Sequence, residues 1–429
     1  MSVELPKVEH ALDVTIEKLV YGGEGLARTP EGVLLVPGVI PGERVQVLPE
    51  PPRRGVRHGQ LVRISEASAD RVSAECPYYG RCGGCQHQHI SYARQVQLKQ
   101  EILRECFERV GKLRLEIQIH VVPSEPWSYR NRVRLLVEKS TSGFMIGYRE
   151  LASHALCPVE CCPISSPGLE TVIRELSQGT LASLFPEGAA ELELFASDAD
   201  RAFWATVYSS LPAPAHFGEA WREVFPAFES VCWYHSPSGK EIVWGEGAIT
   251  SHVGEFHYRV SHHSFFQANR FVLEPMIEAA VGELSGARAL DLYAGVGFFT
   301  VPLARRFERV AAVESQPAAA RDLGANVGVA GTRVRAYDKL AERFLATTSH
   351  NWDMILVDPP RTGLSKPVRE HLKGLRPQEL VYVSCDPTTL ARDATALVAS
   401  GYQITSAHLI DQFPQTFHIE SVLHLTRIG

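Results

Sequence analysis

The chain has no run of roughly eighteen apolar residues, the length a membrane helix needs. Its first thirty residues, beginning MSVELPKVEH, show no basic start followed by a long apolar stretch. A soluble, untargeted, cytoplasmic protein is therefore expected. A positive excess is also missing: 43 Lys and Arg stand against 49 Asp and Glu, a formal net charge of -6. That excludes a surface attracting nucleic acid everywhere and leaves local patches. The nine cysteines are an odd number without a secretory leader, so a disulfide framework gives way to metal binding or catalysis. Internal repeats and low-complexity tracts are absent. What is present, 45% hydrophobic residues over 429 positions, is enough for about three domains with packed cores.

Two basic patches stand out. Arg53, Arg54, Arg57, His58 and Arg63 cluster in PPRRGVRHGQLVRI, and Arg130, Arg132 and Arg134 follow Trp127 and Tyr129 in YRNRVR. Cations interleaved with aromatics suit phosphate neutralisation and base stacking, although such clusters are commonly just solvated faces. Residues 1–65 alternate apolar and polar positions between turn signals such as YGGEG and IPGE, the pattern of a small oligonucleotide-binding (OB-like) barrel. Residues 66–262 form a central α+β unit: a cysteine-rich segment, the helical stretch ARQVQLKQEILRECFERVGKL, then strand-like runs. From 263 to 429 short, fully apolar runs (ALDLYAG, RVAAVES, WDMILVDPP, ELVYVSC) alternate with helical stretches, the mark of a doubly wound, Rossmann-like parallel sheet. Such sheets bind ligands at the carboxyl ends of their strands.

Four constellations carry chemistry. In DLYAGVGFFT, Gly295 and Gly297 follow a strand and precede a helix, and Glu314 ends the next strand, where an acid can take two ribose hydroxyls. Thr300 stands where a third glycine would be, which disfavours a dinucleotide and favours S-adenosylmethionine. In VDPPRTG, Asp358 is held by two prolines at a pocket rim, facing either the methionine end of the cofactor or a substrate base, unless it is an ordinary turn aspartate. In VYVSCDPTTLARD, Cys385 lies between a strand end and a helix start, where unpaired N–H groups and the helix dipole favour a nucleophilic thiolate; Cys106 and Cys232 read as core fillers. In CPYYGRCGGC, the C-x5-C-x2-C spacing of Cys76, Cys82 and Cys85 needs a fourth thiolate. Cys157 of HALCPVECC is the natural candidate, with Cys161 and Cys162 competing. The donor set fits zinc or iron–sulfur, and the spacing leans toward iron–sulfur.

With these residues in view, the chain resembles the RNA uracil-5 methyltransferase family over nearly its whole length, and in particular its iron–sulfur members acting on ribosomal or transfer RNA. TIEKLVYGGEGLAR and VLLVPGVIPGERV resemble the family's N-terminal TRAM barrel, and CPYYGRCGGCQHQ its [4Fe-4S] motif; FFQAN, DLYAGVG, VES, DPPRTG, SCDPTTLARD and HIESV follow in the family's order. The resemblance implies a class I methyltransferase domain in which Gln267, Tyr293, Glu314 and Asp358 contact S-adenosylmethionine, Asp338 lies beside the adenine, Cys385 is the nucleophile and Glu420 the general base. Phe298 departs from the Asn of some relatives, leaving only backbone contact to the cofactor there. Asp386 replaces a common Asn and is expected to raise the thiol's pKa slightly. The resemblance further implies an RNA substrate, ribosomal ahead of transfer RNA; Arg130 and Asn131 of YRNRVR are candidates for gripping its backbone. A redox protein is the rival reading for a thiol cluster beside such a sheet, and a binding-only protein with a decayed sheet domain is another; the missing third glycine and the intact Cys385 and Glu420 oppose them.

Overall fold

The computed structural model describes residues 11–52, 55–141 and 143–428. The alternating N-terminal sequence forms strands Leu12–Thr15, Lys18–Leu19, Glu24–Thr29, Gly32–Pro37, Arg44–Pro49 and Arg57–Glu66 in one six-stranded sheet. The long last strand pairs antiparallel with Arg44–Pro49 and, near its start, parallel with Gly32–Pro37, so the sheet curls around Val14, Leu34, Val36, Val45 and Val47. Glycine is obligatory at one tight approach: a Cβ on Gly59 would lie 2.3 Å from Val47 Cγ1. Much of the first basic patch is spent internally, since Arg57 pairs with Glu31 and His58 with Glu24. Arg53 and Arg54 lie outside the described residues.

A seven-stranded central sheet runs in the spatial order Leu156–Pro158, Gly143–Arg149, Arg132–Ser140, Gly188–Ala196, Phe203–Ser209, Phe228–His235, Lys240–Gly245. Helices Pro167–Ser177 and Phe217–Val224 bury their apolar sides against it through Leu169, Ile173, Leu176, Phe217 and Trp221.

The C-terminal sheet has eight strands, in the order Val334–Asp338, Phe307–Glu314, Gly286–Leu292, Met354–Val357, Glu379–Ser384, Glu420–Arg427, Tyr402–Ile410, Ile119–Val122. Its first five strands are parallel, and Glu420–Arg427 is antiparallel to both neighbours. The apolar runs expected to be buried strands are those strands: Leu290, Leu292, Ile355, Val357, Val381 and Val383 are all fully buried.

Two stretches that the sequence pattern groups with the centre pack here instead. Helix Tyr92–Cys106 lays Leu98, Ile102 and Leu103 into the core shared with Leu390, Ala391 and Ala394, and Ile119–Val122 extends the sheet itself. Hairpin Ala248–Val253/Phe256–Ser261 gives Ile249, Val253, Tyr258 and Val260 to the core on the other face, which it shares with Phe195 and Trp204 of the central sheet. Helical periodicity shows that a face is apolar; it carries no information about which sheet receives it. The same helix buries Lys99, whose Nζ lies 2.7 Å from Asp411 Oδ1 and also donates to the Phe413 carbonyl. Among the described residues, no helix is long and apolar enough to cross a membrane.

Candidate active site and thiol cavity

Strand register assembles the site. The pairing Ser384↔Ser421 places Cys385 and Glu420, one step further, opposite each other. Because Glu420–Arg427 runs against the parallel strands, its first residue emerges at their carboxyl edge. Glu314↔Asp338 and Leu292↔Val357 bring Tyr293, Glu314, Asp338 and Asp358 to that same edge.

Glu314 is fixed by backbone donors: Oε2 accepts from Gly295 N–H at 2.9 Å, and Oε1 from Ser315 and Gln316 N–H at 2.6 Å each. The turn that delivers Gly295 is left-handed at Tyr293, Gly295 and Gly297 (φ 63°, 56° and 94°). Tyr293 alone carries a side chain there, a strain of order 1 kcal/mol held by the surrounding turn. Gln267 is buried, its Oε1 accepting from Gln412 Nε2 at 3.0 Å.

Phe298 is not a side-chain ligand of this cleft. Its ring sits in the core against Tyr258, Phe266 and Phe299, and its carbonyl accepts from Tyr258 OH at 2.9 Å.

Burial dominates the electrostatics. It pushes Asp291 up to about 7 and, with Asp291 and Glu314 adding, Asp358 up to about 8. Burial, then Glu420 and Asp358, push the Cys385 thiol up to about 12, and burial with Asp358 holds Glu420 well above the usual carboxylate range. The expected helix-end stabilisation of thiolate is outweighed. Helix Pro387–Val398 has its first donors taken by Asp386, which accepts from Thr388 and Thr389 N–H at 2.9 and 2.8 Å. Those bonds hold the Asp386 carboxyl below its ordinary value against burial. Arg361 is the cation that opposes these shifts, by charge and a hydrogen bond to Cys385 and by charge at Glu420. It was visible in VDPPRTG, where only the Asp stood out. Tyr21 of the curled N-terminal sheet also reaches this edge: its hydroxyl lies 3.4 Å from the Cys385 carbonyl and its ring meets Phe417 edge to face at 5.9 Å.

The Asp358 shift has a thermodynamic sign. The unfolded chain releases this proton near 3.8, the folded protein near 8; between those values the folded state holds the extra proton, so its stability falls as pH rises. The thermal midpoint of the ligand-free protein is expected to drop between about pH 5 and pH 8, and to drop less in Asp358→Asn, as scanning calorimetry would show.

Elsewhere, five thiols, Cys76, Cys82, Cys85, Cys161 and Cys162, line a cavity of about 160 Å³. Cys157 does not. It is fully buried on Leu156–Pro158, opposite Tyr148, and packs in the central core. The cavity lining thus offers Cys161 and Cys162, beyond the end of the strand at Pro158, where the sequence pointed first to Cys157. Burial, with neighbouring thiols adding, pushes Cys82 up to about 11 and Cys85 to about 12; Cys82 feels Cys157, Cys162 and Cys76, and Cys85 feels Cys162, Cys82 and Cys76. The buried Tyr148 hydroxyl lines the cavity beside Cys162 and Ser165, and Gly84 N–H donates to Cys82 Sγ at 3.4 Å. An all-sulfur donor set with hydrogen-bond donors beside it fits a sulfur-rich cluster.

The second basic patch is largely structural. Asn131 and Tyr129 are fully buried, which corrects the expectation that Asn131 grips RNA, and Arg130 bonds the Arg132 carbonyl at the cavity wall. Arg132 and Arg134 pair with Glu193 and Glu191.

A family model described as tRNA (Uracil-5-)-methyltransferase matches residues 244–327 and 319–428. The 23S rRNA (uracil(1939)-C(5))-methyltransferase RlmD of Alkalilimnicola ehrlichii is 33% identical, the match covering 96% of this chain and 95% of that protein. The RlmD of Edwardsiella ictaluri is also 33% identical, over 96% and 94%. Among solved structures, Pyrococcus abyssi tRNA (uracil-54, C5)-methyltransferase in complex with S-adenosyl-L-homocysteine shares the fold, with a TM-score of 0.77 and 23% identity over 96% of this chain and 99% of that one.

Proposed function

Because the chain belongs to the RNA uracil-5 methyltransferase family, we propose that it methylates C5 of one uridine in 23S rRNA in the cytoplasm, with S-adenosylmethionine as donor. The observation that carries this is Cys385 opposite Glu420 at the strand edge that also bears Glu314.

Uracil C5 is too weakly nucleophilic to take a methyl group unaided. Cys385, its thiolate favoured by Arg361, adds to C6 and makes C5 an enolate carbon. When bound, S-adenosylmethionine supplies an electrophilic methyl on a sulfonium. Glu314 would take the ribose hydroxyls and Asp338 the adenine edge, with Gln267, Tyr293 and Asp358 toward the methionine end. After transfer, C5 carries both methyl and hydrogen. Glu420, whose burial raises its proton affinity, takes that proton, the C6–S bond breaks, and thiolate leaves. Unstacking the target base costs a few kcal/mol, which contacts from the curled N-terminal sheet, read as a TRAM barrel, would offset.

We assign Cys76, Cys82, Cys85 and Cys162 to a [4Fe-4S] cluster with a structural role. Immediately after Cys85, the N–H groups of Gln86 and His87 both donate to the Gln415 carbonyl (3.0 and 2.9 Å), which fastens the thiol loop to the segment leading into Glu420. Cys162→Ala should lose cluster iron and sulfide while Cys157→Ala keeps both, as elemental analysis of anaerobically purified protein would show; the reverse pattern would overturn the assignment.

The function is tested by supplying methyl-labelled S-adenosylmethionine with 23S rRNA and with tRNA, followed by nucleoside analysis. Label is expected in 5-methyluridine from 23S rRNA. Label in tRNA alone would overturn the substrate, and label in another nucleoside the chemistry.

A further inference from the structure

Away from the reaction site, three side chains from separate segments converge: Cys232 on Phe228–His235, Glu241 on Lys240–Gly245, and His263 in the loop before Gln267. Their donor atoms all lie within 4.8 Å of one another, and Glu241 Oε2 is 3.0 Å from His263 Nε2 and 4.0 Å from Cys232 Sγ. Cys232 and Glu241 are diagonal neighbours on antiparallel strands (Cys232↔Val243, Tyr234↔Glu241) and so share a face.

The surrounding bonds orient the imidazole. Tyr208 donates its hydroxyl proton to Glu193 Oε2 at 2.9 Å, and Arg132 holds that carboxylate ionised against the effect of burial. With its proton committed, the Tyr208 oxygen accepts from His263 Nδ1–H at 3.1 Å. Nε2 faces the Glu241 carboxylate oxygen at 3.0 Å, a separation that either a proton on the imidazole or a metal ion bridges, and the thiol aimed at the same oxygen supplies a third donor atom.

We propose that Cys232, Glu241 and His263 form a zinc(II) site, with solvent as the fourth ligand. Tetrahedral zinc with bonds of about 2.0–2.3 Å sets its ligand atoms about 3.3–3.8 Å apart; the two separations to Glu241 are 3.0 and 4.0 Å, and the Cys232–His263 pair lies within 4.8 Å, so small rotamer shifts reach that range. Mixed thiolate, imidazole and carboxylate donors suit zinc and exclude magnesium and calcium. Binding replaces the Cys232 S–H bond by S–Zn and releases that proton to solvent. The Tyr208–Glu193 pair behind His263 is the outer shell such a ligand requires. The site is a staple: the His263 carbonyl accepts from Gln316 Nε2 at 3.2 Å, two residues past Glu314, so an ion here ties the central sheet to the donor-binding edge.

Holoprotein equilibrated with zinc(II) and desalted, with zinc and iron counted by mass spectrometry, tests this. Wild type should carry one zinc per chain beyond the thiol-cavity metal. Glu241→Gln and His263→Gln leave the cavity cysteines intact, and Glu241 is exposed, so folding tolerates its change. Each should bind zinc at least 100-fold more weakly, and zinc should raise the melting temperature of wild type alone. Absence of that zinc from wild type would leave the three residues an ion pair with a neighbouring thiol, and equal uptake by Glu241→Gln would place the zinc elsewhere; either result overturns the proposal.

Discussion

Cys385→Ser is expected to lose at least about 10,000-fold in methyl transfer, because covalent addition is the step the nucleophile makes possible. The thiol already sits at about 12 in the free protein, and a hydroxyl ionises still less readily. Arg361 cannot make up that difference, and C5 never becomes an enolate. The variant should retain S-adenosylmethionine binding, since Glu314 and its Gly295 contact are untouched. RNA carrying 5-fluorouridine gives a second readout: fluorine at C5 leaves no proton to remove, so wild type should be trapped as a covalent complex on a denaturing gel. Cys385→Ser should give no such band. Wild-type turnover in Cys385→Ser would sink the mechanism.

Glu420→Gln should fail at the other end of the cycle. Thiolate addition and methyl transfer do not need the base, so one methyl per enzyme is transferred and the adduct then accumulates on ordinary RNA. Steady-state turnover is expected to fall about 100- to 10,000-fold, the usual contribution of a positioned base. The pH dependence carries a sign. Burial, with Asp358 adding, keeps Glu420 protonated well above the usual carboxylate range, and only its ionised form accepts a proton. Wild-type turnover should therefore rise with pH, and the residual turnover of Glu420→Gln should lack that rise where Glu420 ionises. Quenched-flow measurement of labelled RNA separates the first methyl from later ones; loss of the first transfer itself would move Glu420 to an earlier step.

What was legible in the sequence is what depends on local pattern. Short apolar runs ending in DLYAG, VES, VDPP and SC located the strands and their common edge, because a strand buried on both faces needs an unbroken apolar run. Position within a turn was not legible. Cys157 and Cys162 are separated by the end of a strand and a bend at Glu160 that no periodicity encodes, and Phe298 serves the core because Tyr258 and Phe266, from a distant hairpin and a loop, meet it there. The helix-end effect at Cys385 is outweighed by burial and by Glu420 and Asp358 beside it, while Asp386 takes the helix's first donors. Tyr21 at the nucleophile and the meeting of Cys232, Glu241 and His263 depend wholly on how separate units dock.

Helix Tyr92–Cys106 and strand Ile119–Val122 complete a sheet whose other strands all lie after residue 285. During synthesis these residues leave the ribosome long before their partners exist, and must wait through the making of the whole central sheet. The C-terminal half is accordingly no portable module: severed at 263 it would keep Asp411 while losing the Lys99 ammonium that neutralises it, stranding a charge in an apolar interior. Gene fusion or fragmentation at that point would therefore be penalised, however convincing the seam looks in one dimension.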